Sequence, residues 1–188
     1  MVSDPDTNHV RHALEKAFVV VQDIFPNETT EYADVVFPST AFAEKDGTFT
    51  NTERRVQRVR QVVPAKGECR DDWWTLMQVM NRIGYSCHYD TVEDVFNEMR
   101  TVTPSYAGIT YEKIEKAGVQ WPCPTEDHPG TPILHVNGPG RAGGGLLKAL
   151  EWQPSPDLGD PEYPMTLTSC RILYHYHTRT QTDKVPAI

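Results

Sequence analysis

Two short apolar runs, residues 18–21 (FVVV) and 35–37 (VVF), limit what this chain can fold into. β-Branched and aromatic residues with no polar alternation suit strands covered on both faces, the habit of parallel sheets. Helical signals precede each run. Residues 8–16 (NHVRHALEK) put Val10, Ala13 and Leu14 on one face, and a second short helix, capped by Asn27 or Thr29, runs to about Ala33. Helix, buried strand, helix, buried strand is the rhythm of an α/β fold, a partial doubly wound (Rossmann-like) parallel sheet with helices. Such sheets take ligands beyond the carboxyl ends of their strands. Gln22, Asp23, Pro38 and Ser39 occupy those ends.

The next stretch, residues 44–60 (EKDGTFTNTERRVQRVR), begins with the turn dipeptide Asp46-Gly47, where glycine permits a tight backbone. A basic patch of Arg54, Arg55, Arg58 and Arg60 follows, able to meet phosphate or carboxylate or to lie as a solvated face. The chain as a whole is acidic, with net charge −8, which argues against a nucleic-acid partner. No apolar stretch approaches the ~20 residues of a membrane span. The polar N-terminus resembles no leader, and four dispersed cysteines without CxxC spacing suggest a reducing cytoplasm rather than a disulfide scaffold.

Residues 71–83 (DDWWTLMQVMNRI) form the strongest helix pattern, capped by Asp71 or Asp72, striped by Trp74, Met77, Met80 and Ile83, and closed by Gly84. Thr91 opens another helix, to about Met99, with Asp94 completing a capping box. A third helix is expected at 111–117, stopped by Gly118. Beyond Gln120, WPCPTEDHPGTP cannot continue helix, and residues 133–136, 146–152 and 164–169 are strand candidates; Tyr163, Met165 and Leu167 alternate cleanly.

The chain carries no self-sufficient catalytic motif: no P-loop, GxGxxG, HExxH or GxSxG. On a strand, His175 and His177 would share a side, a spacing that can ligate a metal, but no third ligand is evident and a hydrogen-bonding role is the better reading. Cys87 and His88 would point to opposite faces. Asp23 has two readings that stand side by side: two acceptor oxygens for the adjacent N–H groups of a guanine edge, or a turn cap for the segment NETT.

Taken in order, VVVQDIFPNETTEYADVVFPSTAFAEKDGTFTNTERRVQ, the DDWW helix, WPCPTEDHPGTP and EYPMTLTSCRILYHYHT resemble the catalytic (alpha) subunit of molybdenum-dependent formate dehydrogenase, within the molybdopterin oxidoreductase family. The likeness runs from Met1 to about Thr182; nitrate reductases share the EKDGTFTN–ERR block. It implies two-electron oxidation of formate to CO2 in a full enzyme. The cofactor would be molybdopterin guanine dinucleotide in its bis form, holding molybdenum or tungsten.

By resemblance, Gln22 and Asp23 would contact one nucleotide, Asp72 would reach a guanine, and Lys45 would supply charge to the dinucleotide. The run 168–178, with Thr168, Arg171, His175, His177 and Thr178, would lie against the pterins. No catalytic or metal-ligating residue is assigned. The resemblance divides the chain into residues 1–65, the back half of a cofactor domain; 66–120, helices packing on it; 121–160, a Pro/Gly-rich connection; and 161–188, the start of a C-terminal β-barrel domain.

Family members are several-fold longer. The iron–sulfur cysteine motif, the metal ligand and its neighbouring His and Arg are expected upstream, in a separately encoded N-terminal half or alongside other formate dehydrogenase subunits. Ser169-Cys170-Arg171 stands where the family has Thr-Gly-Arg, and residues 179–184 (RTQTDK) where it has Gly-x-Met-Thr-Arg-Arg. A side chain in place of such a glycine blocks backbone approach to a ligand. These departures leave a second reading, a remnant or a pterin-nucleotide binding module without turnover. Half a sheet with an open edge is also expected to aggregate unless a partner covers it.

Overall fold

The computed structural model describes residues 3–136, 138, 145–155, 158–179 and 181–186. Met1, where the likeness above begins, and Thr180, within the run 179–184, lie outside them. Three helices, a two-stranded parallel sheet and a three-stranded antiparallel sheet form among the described residues.

The parallel pair follows from the two apolar runs. Strand β1 (Val20–Asp23) lies beside β2 (Val35–Pro38), in a register that pairs Val20 with Val35 and Asp23 with Pro38. A single 3-10 turn (Thr30–Tyr32) replaces the second helix expected there. Asn27 begins it, its side-chain oxygen accepting the Thr29 N–H at 2.9 Å. The expectation of burial on both faces is corrected: Val19 is buried, but Phe18 is 76% exposed, and Val20 and Val36 face solvent on a sheet with only two strands.

Beyond β2, Ser39 bridges Arg70 in parallel fashion. The Arg70 N–H donates to the Pro38 carbonyl at 3.1 Å, and the Thr40 N–H to the Arg70 carbonyl at 3.3 Å. Helix α2 (Asp72–Arg82) therefore starts at the carboxyl end of the strands. Its stripe is core only in part: Met77 is buried, whereas Trp74 and Ile83 are exposed. Helix α1 (Thr7–Leu14) buries no residue; Val10 and Leu14 are half-buried and Ala13 is exposed.

Between β2 and α2 the chain leaves the sheet as a hairpin, β3 (Gly47–Thr50) against β4 (Arg55–Val59). The reversal is not at Asp46-Gly47, as the dipeptide suggested, but at residues 51–54. There the Asn51 side-chain oxygen accepts the N–H groups of Glu53 and Arg55, and Arg54 adopts φ +67°. Asparagine closes such turns by standing in for a backbone carbonyl. The hairpin comes home where it left, the N–H groups of Val62 and Val63 both donating to the Ala43 carbonyl.

A core gathers on the hairpin. Strand β5 (Val119–Gln120) pairs with β4. Val56, Phe96 of α3 (Val92–Val102), Ile109, Tyr111, Ile114, Val119 and Cys123 are buried together. The expected capping box of α3 is present: the Asp94 N–H donates to Thr91 Oγ1 and the Thr91 N–H to Asp94 Oδ2. Residues 111–117 form turns, not the expected helix. Their place is set by close backbone approach: a Cβ on Gly108 would stand 1.9 Å from the Thr125 carbonyl oxygen, and one on Gly118 2.5 Å from that of Val56. The Lys113 ammonium ties down the proline-rich segment, donating to the carbonyls of Glu126 and His128 and lying 3.3 Å from Cys123 Sγ.

These elements belong to one compact unit, Asn8–Leu134; Met1–Thr7 with His135–Ile188 forms another. Among the described residues beyond Gln120 no strand and no closed barrel forms, so the candidates at 133–136, 146–152 and 164–169 are corrected to irregular chain. Tyr163, Met165 and Leu167 alternate in sequence yet are all exposed. A period-2 pattern makes a strand only where a neighbouring strand takes its hydrogen bonds.

Candidate functional site

The strand ends and the start of α2 bring together three of the residues singled out in the sequence. Lys45, just past a 3-10 turn (Phe42–Glu44), donates from Nζ to Asp72 Oδ2 at 2.6 Å. Gln22, near the end of β1, donates from Nε2 to Asp72 Oδ1 at 2.9 Å. Each carboxylate oxygen of Asp72 thus has its own donor, one cationic and one neutral. Burial pushes the Asp72 carboxyl up, but the Lys45 ammonium, the Ser39 hydroxyl and the Gln22 amide outweigh it, and Asp72 stays below its ordinary value. Ser39 Oγ is buried beside this carboxylate without full hydrogen-bond geometry to any acceptor. Asp72 itself is 47% exposed and keeps free acceptor positions toward solvent.

Asp23 sits apart from this triad. Its Oδ1 accepts the N–H groups of Ile24 and Phe25, and its Oδ2 accepts Asn27 Nδ2 at 2.8 Å. In the structure the carboxylate serves the turn that opens NETT.

A residue pair beneath the triad was not singled out as functional. Thr40 Oγ1 donates to Asp71 Oδ1 at 2.8 Å, and the Trp73 indole N–H donates to Asp71 Oδ2 at 3.3 Å. The only sequence signal was Asp71 as a helix cap. A cleft of about 510 Å³ opens next to them, lined by Lys45, Arg70, Asp71, Trp73 and Trp74 among others.

The arginines of the basic run meet groups of the protein itself. Arg54 donates to the carbonyls of Trp121 and Pro132, and Arg55 to that of Gly118. Arg60 pairs with Glu115, and Arg58 lies over the Tyr111 ring. The arginines hold the hairpin to the chain that covers it.

In the other unit, Thr168, Arg171, His177 and Thr178 are exposed and His175 is half-buried. His175 Nδ1 lies 3.0 Å from Thr182 Oγ1, and Thr178 Oγ1 lies 3.2 Å from Ser3 Oγ. His177 adopts φ +51° in a turn, so the two histidines do not share the face of a strand. Among the described residues no three His, Cys, Asp or Glu side chains converge on a metal position, and no helix is long and apolar enough to cross a membrane.

The molybdopterin oxidoreductase family model matches residues 1–82, which contain β1, β2, the hairpin and α2. Over 98% of its length the chain is 48% identical to the F420-dependent formate dehydrogenase subunit alpha of Methanocaldococcus jannaschii. It is 47% identical, again over 98%, to the F420-dependent formate dehydrogenase 1 subunit alpha of Methanococcus maripaludis, and 37% identical to a nitrate reductase of Symbiobacterium thermophilum. The chain spans only 28% of the two formate dehydrogenase subunits and 27% of the nitrate reductase.

Proposed function

The chain belongs to the molybdopterin oxidoreductase family, and from that premise we propose that it supplies part of the molybdopterin guanine dinucleotide site of a formate dehydrogenase-like subunit. The observation that carries the reading is the convergence of Gln22, Lys45 and Asp72 at the carboxyl end of a parallel strand pair. The donor set fits such a group. A half-exposed carboxylate kept ionised offers acceptors to guanine N–H groups, an ammonium beside it suits a phosphate, and the buried Ser39 hydroxyl stands beside the carboxylate. When bound, the molybdenum or tungsten centre would supply the two-electron oxidation of formate. This chain's residues would bind and orient the nucleotide end.

The metal ligand and iron–sulfur cluster would come from a separately encoded N-terminal half or from other subunits, in a cytoplasmic enzyme. The exposed apolar residues of the parallel pair, Phe18, Val20 and Val36, are the surface such a partner would cover.

A second reading, a nucleotide-binding module without turnover, is favoured by one observation. Thr168, Arg171 and Thr178 stand exposed on irregular chain, without a strand to array them toward a pterin.

One preparation tests both: the chain purified alone and with the co-expressed N-terminal half of a formate dehydrogenase subunit, each assayed for molybdenum or tungsten and for guanine nucleotide released by acid. Metal and nucleotide in the pair support the first reading, nucleotide without metal the second. Nucleotide in neither preparation overturns both.

A further inference from the structure

We propose that Thr40 and Asp71 are positioning residues that decide which of two adjacent carboxylates meets Lys45. Asp71 and Asp72 are sequence neighbours at the start of α2, and Asp71 lines the same cleft as Lys45. Backbone bonds hold the helix start, the Arg70 N–H on the Pro38 carbonyl and the Thr75 N–H on the Asp71 carbonyl, but none of them engages either carboxylate.

Two side-chain bonds make the choice. Asp71 occupies the N-cap position with an extended backbone, yet its carboxylate takes no amide of its own helix. One oxygen takes the hydroxyl of Thr40 and the other the indole of Trp73. Thr40 is 1% exposed, so its donor cannot turn to water instead, and losing the bond would strand a buried hydroxyl. With Asp71 engaged on both oxygens, Asp72 faces Lys45 and Gln22. The bond spans 31 residues and joins the segment that carries Lys45 to the helix that carries Asp72.

The geometric part stands without any cofactor; only its bearing on nucleotide binding rests on the function proposed above. The test uses the whole chain and compares wild type with Thr40→Val, which keeps the shape and removes the donor, Thr40→Ser, which restores it, and Trp73→Phe, which removes the indole N–H together with part of the ring. The first readout is the Asp72 carboxyl titration followed by carbon NMR, the second the affinity for guanosine diphosphate.

In Thr40→Val the Asp72 midpoint is expected to move up toward an ordinary aspartate and guanosine diphosphate to bind about tenfold more weakly. Thr40→Ser should restore both, and Trp73→Phe should shift the midpoint less in the same direction. An Asp72 midpoint unchanged in the folded Val and Phe variants overturns the proposal. A midpoint that shifts in a chain with no affinity for guanosine diphosphate upholds the positioning role and removes the nucleotide reading instead.

Discussion

The Arg58 guanidinium lies over the ring of Tyr111, 3.9 Å from its centroid, inside the core that gathers on the hairpin. A cation on an aromatic face is stabilised when water is kept away, and the Arg58 side chain is only 15% exposed. Arg58→Ala should lower the free energy of unfolding by about 1–3 kcal/mol in urea denaturation. Arg58→Lys should recover only part of this, because an ammonium lacks the flat face that stacks.

Asp72 gives the chain an acid-sensitive contact. Its folded pKa lies below the ordinary 3.8, so the pair with Lys45 stabilises the fold at neutral pH, and that contribution fades as the pH falls through the folded value. Replacing Lys45 with Met should raise the Asp72 midpoint, read by NMR, and should flatten the fall of stability as the pH drops below the ordinary aspartate value of 3.8. A midpoint that stays put would mean that Lys45 does not govern this carboxyl.

Gly108→Ala should be among the most destabilising small changes. The new methyl would overlap the Thr125 carbonyl, a backbone group held near by the Gly108 N–H bond to Cys123. A loss of about 3 kcal/mol or more is expected in thermal or urea unfolding. Gly47→Ala, with open space around its Cβ, should be mild by comparison.

The four thiols should separate by accessibility. Cys170 is exposed, Cys69 and Cys87 are half-buried, and Cys123 is fully buried. Timed alkylation of the native chain should label Cys170 first and spare Cys123 until urea unfolds the core.

Local chemistry made parts of this fold readable in advance. Thr91 and Asp94 satisfy each other's backbone within one turn, so four residues suffice to mark the start of α3. The β-branched runs marked β1 and β2, and Gln22 was placed at a strand end from them alone. What escaped depends on distant partners. Tyr111 and Ile114 have helical spacing, but their backbone follows from the approach of Gly108 to Thr125 and of Gly118 to Val56, pairs remote in sequence. The arginine run shows its charge but not its acceptors: for Arg54 and Arg55 these include carbonyls more than 60 residues away, and for Arg60 they are on Glu115, 55 residues away. Asp23 presents two equal readings, and in the structure its carboxylate accepts the N–H groups of Ile24 and Phe25, which lie next to it in the chain.

The return of Val62 and Val63 to the Ala43 carbonyl makes the hairpin a closed loop whose neck is two residues from Lys45. Loop closure there is entropically uphill until Val56 and its neighbours pack. The ammonium that meets Asp72 is therefore set in place by a core to which it does not belong. Val56→Ala should loosen Lys45 and Asp72 together with the hairpin, and native-state hydrogen exchange should find the amides of Val62 and Val63 opening with those of β4 as a single unit.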